Sequence, residues 1–319
     1  MKNFFLFFCN IFSKVLLIKK TLNKMKLYKS LSFALLFLVA FASAQTSANR
    51  FFYELTYKPK KDSTKIEKEG MILDITSKKS IYRDYMDVSQ DSIMKVTIEK
   101  MQKSGVFQDP SKMRKEPKFS HRVWKEYPSM KAQYIDFILN GDRPMFMSYT
   151  EEPKFNWKIT HEKQKIGEYE AQKATTEFGG RQWTAWFTEA IPFPDGPYKF
   201  SGLPGLIVKI EDADKNYSWE LKGNKKIENY SELTYMEGLM TNGNPIKTTD
   251  VPREKFEKTF DEYKKDPFGS MRDKLAQVDK NMKMPGSDKT IGEMINEQEK
   301  KLKDFYGSID NTIEISQKK

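Results

Sequence analysis

Between residues 50 and about 230 the chain repeats one pattern, short apolar runs with a two-residue period separated by turn residues. Phe51, Tyr53, Leu55 and Tyr57 alternate with Phe52, Glu54, Thr56 and Lys58, and such a period sends alternate side chains to opposite faces of a pleated strand. Runs of the same kind cover 71–76, 80–85, 93–98, 119–127, 133–139, 155–160, 170–178, 182–188, 206–210, 217–222 and 226–230. Gly141-Asp142-Arg143-Pro144, Gly179-Gly180 and Pro194-Asp195-Gly196-Pro197 punctuate them. Short strands joined by turns, without long helical stretches between them, pair antiparallel. The expected fold is mainly β: a large curved antiparallel sheet, a sandwich or a partly open barrel, with a helical C-terminal segment. Charged residues such as Lys125 and Lys158 are expected to face water, opposite Val123 and Ile159.

The pattern changes after residue 231. Stretches 253–265, 268–283 and 288–306 are rich in Lys and Glu at helical spacing and are broken by Pro267 and by Met284-Pro285-Gly286-Ser287. Asn311-Thr312-Ile313-Glu314-Ile315 predicts a short terminal strand. The organisation read from this is a β-rich domain over 45–230, a linker and helical segment over 231–310 packed on it, and a terminal strand and tail over 311–319.

Residues 1–44 read as an export leader. Lys26 and Lys29 precede an apolar run over 31–41, and Ala42-Ser43-Ala44 supplies a signal-peptidase site, so the signal peptide spans about 25–44. Residues 1–24 then read as an over-extended start ahead of Met25. The apolar run is far short of the ~20 residues that span a bilayer as a helix, so a stable transmembrane span is not expected. The only cysteine, Cys9, lies in this region. The mature chain is therefore expected to lack thiol chemistry and a lipoprotein anchor, and to reside in the periplasm or outside the cell. The net charge of +11 invites a nucleic-acid reading, but seven lysines and no acid fall within 1–44, which leaves +4 on the remainder. Nucleic acid is thus not an expected partner.

The densest tract runs from Gly167 to Asp212. It holds Gln172-Lys173-Ala174, Arg181-x-Trp183-x-Ala185-Trp186-Phe187-Thr188, Ile191-Pro192, Gly196-Pro197-x-Lys199-Phe200 and the hexapeptide Gly202-Leu203-Pro204-Gly205-Leu206-Ile207. On these motifs, with Trp157-Lys158-Ile159 upstream, the chain resembles the GLPGLI family, secreted proteins of Bacteroidota named after that hexapeptide. The resemblance implies an exported envelope protein and carries no established activity with it. Leu203-Pro204-Gly205-Leu206 fits a type II turn feeding a strand, with Pro at the second position and Gly at the third. Trp186 and Tyr198 are the aromatics a ligand groove would use.

No catalytic constellation is legible, and no cofactor is expected. His121 and His161 sit in or beside separate strands, and Gly179-Gly180 lacks the strand–helix setting of a phosphate loop. The expected role is non-catalytic binding or scaffolding for an envelope protein or an extracellular ligand. One alternative is a hydrolase of glycan or peptide using carboxylates among Glu177, Glu189 and Asp195. Another is a copper carrier using the thioethers of Met145 and Met147, or of Met282 and Met284, because soft sulfur suits Cu(I).

Overall fold

Twelve strands form one open sheet whose central members are the aromatic-rich runs described above. The computed structural model describes residues 46–105, 115, 117–140, 143–283 and 288–315. The leader readings at 1–44, Met284 and residues 316–319 lie outside the described residues. The strands are β1 (Ala48–Tyr57), β2 (Glu67–Ile75), β3 (Lys79–Asp84), β4 (Arg122–Glu126), β5 (Lys131–Asn140), β6 (Arg143–Glu151), β7 (Lys158–Ile166), β8 (Tyr169–Phe178), β9 (Arg181–Thr188), β10 (Leu206–Asp212), β11 (Tyr217–Ile227) and β12 (Thr248–Asp250). Their order across the sheet is β12-β6-β5-β4-β3-β2-β1-β11-β10-β9-β8-β7. All neighbours run antiparallel except β12, which pairs parallel to β6. The sheet is therefore mixed but largely antiparallel, and it does not close into a barrel.

Register shifts interrupt the β1–β11, β9–β10 and β7–β8 ladders, and such bulges bend and twist a sheet. Its inner face carries Phe51, Tyr53, Leu55 and Tyr57 of β1, all buried, together with Trp183, Ala185 and Phe187 of β9 and Trp219 of β11. The β9–β10 connection folds back over this face. Tyr198, Phe200 and Leu203 from it are buried in the same core, and the Phe200 ring lies 4.8 Å from Trp183. Tyr53 Oη donates to Ile207 O at 2.8 Å, and Trp219 Nε1 donates to Tyr82 Oη at 2.8 Å, so the polar ends of these rings are satisfied in the dry interior.

Helices attach at one end and along the tail: α1 (Met86–Ser89), α2 (Asp91–Ser104), α3 (Tyr235–Thr241), α4 (Arg253–Lys265), α5 (Arg272–Ala276) and α6 (Ile291–Gly307). A second, smaller core joins Phe256 and Tyr263 of α4 to Ile138, Met147 and Tyr149 of β5 and β6. The described residues from Ser47 onward belong to one unit.

Several expectations are corrected. Residues 93–98 are helical, not a strand. Met94 and Thr97 are the buried side of α2, Ile93 and Val96 face solvent, and Gly105 closes the helix in the left-handed conformation at φ 66°. Residues 226–230 are not a separate strand, because β11 runs on to Ile227. Within 268–283 only a short 3₁₀ turn and the five residues of α5 are helical. Asn311–Ile315 forms no strand. Lys125 is fully buried on the inward side that it shares with Val123, as positions two apart in a strand must be. Ile159 lies in the open edge strand β7 and is exposed. The Leu203 turn is tighter than type II: Gly205 N donates to Leu203 O at 2.8 Å, a three-residue turn centred on Pro204, and Leu206 N pairs instead with Ile191 O at 3.0 Å.

Candidate functional site

Two features stand out, a cavity among the helices and a set of charged groups sealed under the β9–β10 connection. The cavity, about 700 Å³, lies where β4 begins, and α1, α2, α3 and α6 wall it. Met86, Met94, Met236 and Met240 line it with Phe137, Phe146 and Phe305. Thioethers are flexible and polarizable, so such a wall adapts to varied apolar shapes, and the volume falls in the usual range for small-molecule sites.

Within it, Arg122 and Glu237 already balance one another. Arg122 Nη2 donates to Glu237 Oε1 at 2.6 Å and lies 3.8 Å from Asp87. Glu237 also closes the capping box of α3, since Thr234 N donates to its Oε2 at 3.0 Å and Glu237 N donates back to Thr234 Oγ1 at 3.3 Å. Burial pushes the Glu237 carboxyl up, yet Arg122 and these hydrogen bonds more than offset that and hold it below the usual range. Asp91 accepts from Tyr235 N at 2.6 Å and thereby ties α2 to α3.

Under the connection, Lys125 and Asp195 are both fully buried and in direct contact. Lys125 Nζ also donates to Gly196 O at 2.6 Å, and Tyr127 Oη donates to Asp195 Oδ2 at 2.5 Å. Nearby, Lys199 Nζ donates to Tyr149 Oη at 2.8 Å and to Glu314 Oε1 at 2.5 Å, and it also pairs with Glu151. Three tyrosine rings, Tyr134, Tyr149 and Tyr198, surround that ammonium at 4.9–5.5 Å from their centroids. Tyr198 Oη and Arg253 Nη1 complete the hold on Glu314 at 2.6 and 2.8 Å. Burial would raise the Glu314 carboxyl, but Lys199 and Arg253 prevail and lower it.

Glu314 arrives on Asn311–Ile315, a strap clasped by Arg181. Arg181 donates to Ile313 O, Thr312 O and Asn311 Oδ1, and pairs with Asp212. Ile315 N donates to Gly179 O at 2.8 Å. The Gly179-Gly180 turn has φ 57° and 73°, the two-residue hairpin geometry, and a Cβ on Gly179 would sit 2.7 Å from Glu314 Cγ.

The sequence-selected residues scatter. Trp186 and Tyr198 are buried, so they do not present rings to an open groove; Tyr198 instead faces Lys199 and Glu314. Gly202, Leu203, Pro204, Gly205, Leu206 and Ile207 shape the connection and the start of β10, and Leu203, Leu206 and Ile207 are core residues. Met147 fills the smaller core with Met145 beside it, and Met282 is exposed at the surface. His121 is buried, stacked 5.0 Å from Tyr134, while His161 is exposed on β7, so the two are not brought together. Burial first, and Lys199 second, hold the His121 imidazole down to about 3. Glu177 and Glu189 are exposed near opposite ends of β9, and Asp195 is engaged with Lys125. The cavity methionines and the buried lysines escaped sequence reasoning. The only signal for Lys125 was its even spacing from Val123.

A family model described as a "Protein of unknown function (Porph_ging)" matches residues 177–209, which span the end of β8, all of β9, the connection and the first residues of β10. No curated protein matches the chain. Among solved structures, PNGF-II in a C2 crystal form is similar at 15% identity and a TM-score of 0.44 over 67% of this chain and 32% of that one. Its P21 form is similar at 17% identity and a TM-score of 0.43 over 71% and 34%. The chain thus spans about a third of PNGF-II. No helix among the described residues is long and apolar enough to cross a membrane.

Proposed function

We propose that the protein is an exported, GLPGLI-type envelope protein that acts by binding, without catalysis, and takes an apolar ligand or apolar partner segment into the methionine-lined cavity. The observation that carries this reading is the cavity itself: about 700 Å³, four methionines and three phenylalanines in its wall, and an Arg122–Glu237 ion pair within it. Because Arg122 already holds Glu237, an incoming group gains little by bringing charge to that pair, and recognition rests mainly on apolar contact, with Lys118, Lys301 and Asp304 also in the lining.

A carboxylate hydrolase is less well supported. Glu177 pairs in register with Gln182, and Glu189 follows Thr188 at the far end of β9. At ~3.3 Å per residue the two are separated by roughly 20 Å, whereas glycosidase carboxylates stand ~5–9.5 Å apart. Copper carriage is favoured by one observation, the four thioethers of the cavity wall, and not by Met145 and Met147, which pack in or against the smaller core.

Fluorescence titration of the full chain with the neutral dye N-phenyl-1-naphthylamine tests the binding reading. Saturable binding is expected, weakened about ten-fold or more (~1.4 kcal/mol) by a Met236→Lys, Met240→Lys double substitution at the less buried part of the wall. Dye binding that is absent, or indifferent to that substitution, overturns it. Dye-displacing Cu(I) at stoichiometric concentration would favour the copper reading instead.

A further inference from the structure

A lysine ammonium is costly to bury, and a protein that buries one surrounds it with acceptors. Lys125, in the middle of β4, and Asp195, in the β9–β10 connection, have no exposed surface, and Nζ touches Oδ1. The surroundings position both groups closely. Gly196 O and Phe200 O accept from Nζ at 2.6 and 3.3 Å, Gly196 N donates to Asp195 Oδ1 at 2.7 Å, and Tyr127 Oη donates to Oδ2 at 2.5 Å. Burial pushes the Lys125 ammonium down, against the pull of Asp195, towards the uncharged amine that acts as a nucleophile.

We propose that Lys125 and Asp195 become joined by an intramolecular amide bond between Nζ and Cγ. The atoms balance without an oxidant or co-reactant. The ammonium–carboxylate pair first shares its proton to give amine and carboxylic acid. Nζ then attacks Cγ, the C–Oδ1 bond breaks, and Oδ1 leaves as water with two of the three ammonium hydrogens. Oδ2 remains as the amide oxygen and accepts from Tyr127, while the remaining N–H has Gly196 O as its acceptor. Fixed contact between the reacting groups replaces the entropy of bringing them together, and once the expelled water has diffused out, exclusion of solvent keeps bulk water from hydrolysing the bond. The bond ties the connection to the sheet in a chain that has no cysteine after Cys9 with which to make a disulfide. Lys199 is a poorer case, because it is shared between Glu151 and Glu314, both carboxylates also bind Arg253, and Glu151 is partly open to water.

Intact-mass spectrometry of the purified full chain, followed by tryptic mapping, tests this. The expected result is a mass one water below that calculated for the purified chain from its determined N-terminus, no cleavage after Lys125, and a fragment joining the Lys125 and Asp195 peptides. Lys125→Arg is expected to restore the calculated mass. An unmodified wild-type mass overturns the proposal. So does a water loss that maps to Lys199, or one confined to Asp195–Gly196 as a succinimide with Lys125 still cleaved. The wild-type map decides even if the Lys125→Arg chain does not fold.

Discussion

At position 205 the backbone leaves no room for a side chain. Gly205 has φ +150°, and a Cβ there would lie 2.1 Å from Thr188 O, the last carbonyl of β9. Glycine is thus demanded twice over, by conformation and by the close approach of two chain segments. Pro204 restricts the preceding residue, and Leu206 N closes on Ile191 O. Gly205→Ala must push apart the start of β10 and the end of β9, beside the fully buried Leu206. The expected loss is about 3 kcal/mol or more of unfolding free energy, read as a lower urea midpoint with unchanged slope. A change below ~0.5 kcal/mol, the level of an ordinary surface substitution, would show that the turn relaxes freely.

Among elements, the strap Asn311–Ile315 contributes more than its length suggests, because it delivers Glu314 to Lys199 and Arg253 across the β8–β9 turn. Glu314→Ala leaves a fully buried ammonium with Glu151 as its remaining carboxylate and Tyr149 as a neutral partner. Removing one partner of a buried pair costs several kcal/mol, and the survival of Glu151 lowers the expectation here to about 3 kcal/mol, measured by chemical denaturation. A strap that merely rests on the surface predicts no measurable loss.

How far such elements could be read from the chain depended on whether one period dominated. In β1 and β9 the apolar face repeats every second residue without interruption, and the structure buries those faces. In α2 the branched residues Ile93, Val96 and Ile98 imitate a strand, while the packing positions Met94 and Thr97 are fewer and less apolar. Arg253–Lys265 was legible as a helix because Phe256, Phe260 and Tyr263 keep helical spacing with Pro252 just ahead. The strap was not, since its bonds come from Arg181 and Tyr217, far away in sequence. The cavity was illegible for the same reason, as its four methionines come from three helices that only the tertiary fold brings together.

For the whole molecule, the charge that matters to stability is not the net +11 but the few ionisable groups the fold conceals. His121 faces Lys199 and Glu314 and is held down to about 3 from its ordinary 6.5. As pH falls below 6.5, the unfolded chain takes up a proton that the folded chain refuses, so acid favours unfolding across that window. Asp136 is pushed up to about 7 from its ordinary 3.8, by burial first and against the opposing effects of the Phe137 N–H, Ser120, Arg122 and Lys264. Here the folded chain keeps a proton that the unfolded chain has released, so stability falls as pH rises from 3.8 to about 7. The two slopes oppose one another between 3.8 and 6.5, and each displacement corresponds to roughly 4–5 kcal/mol over its full window. Single substitutions separate them. With His121→Phe, the stability of the wild type relative to the variant is expected to decline on acidification below about pH 6.5. With Asp136→Asn, it is expected to decline in the other direction, as pH rises towards about 7. Urea denaturation of the three proteins across this range distinguishes the outcomes: diverging difference curves of opposite sign support the buried assignments, and parallel profiles would mean that both groups titrate as they do in the unfolded chain.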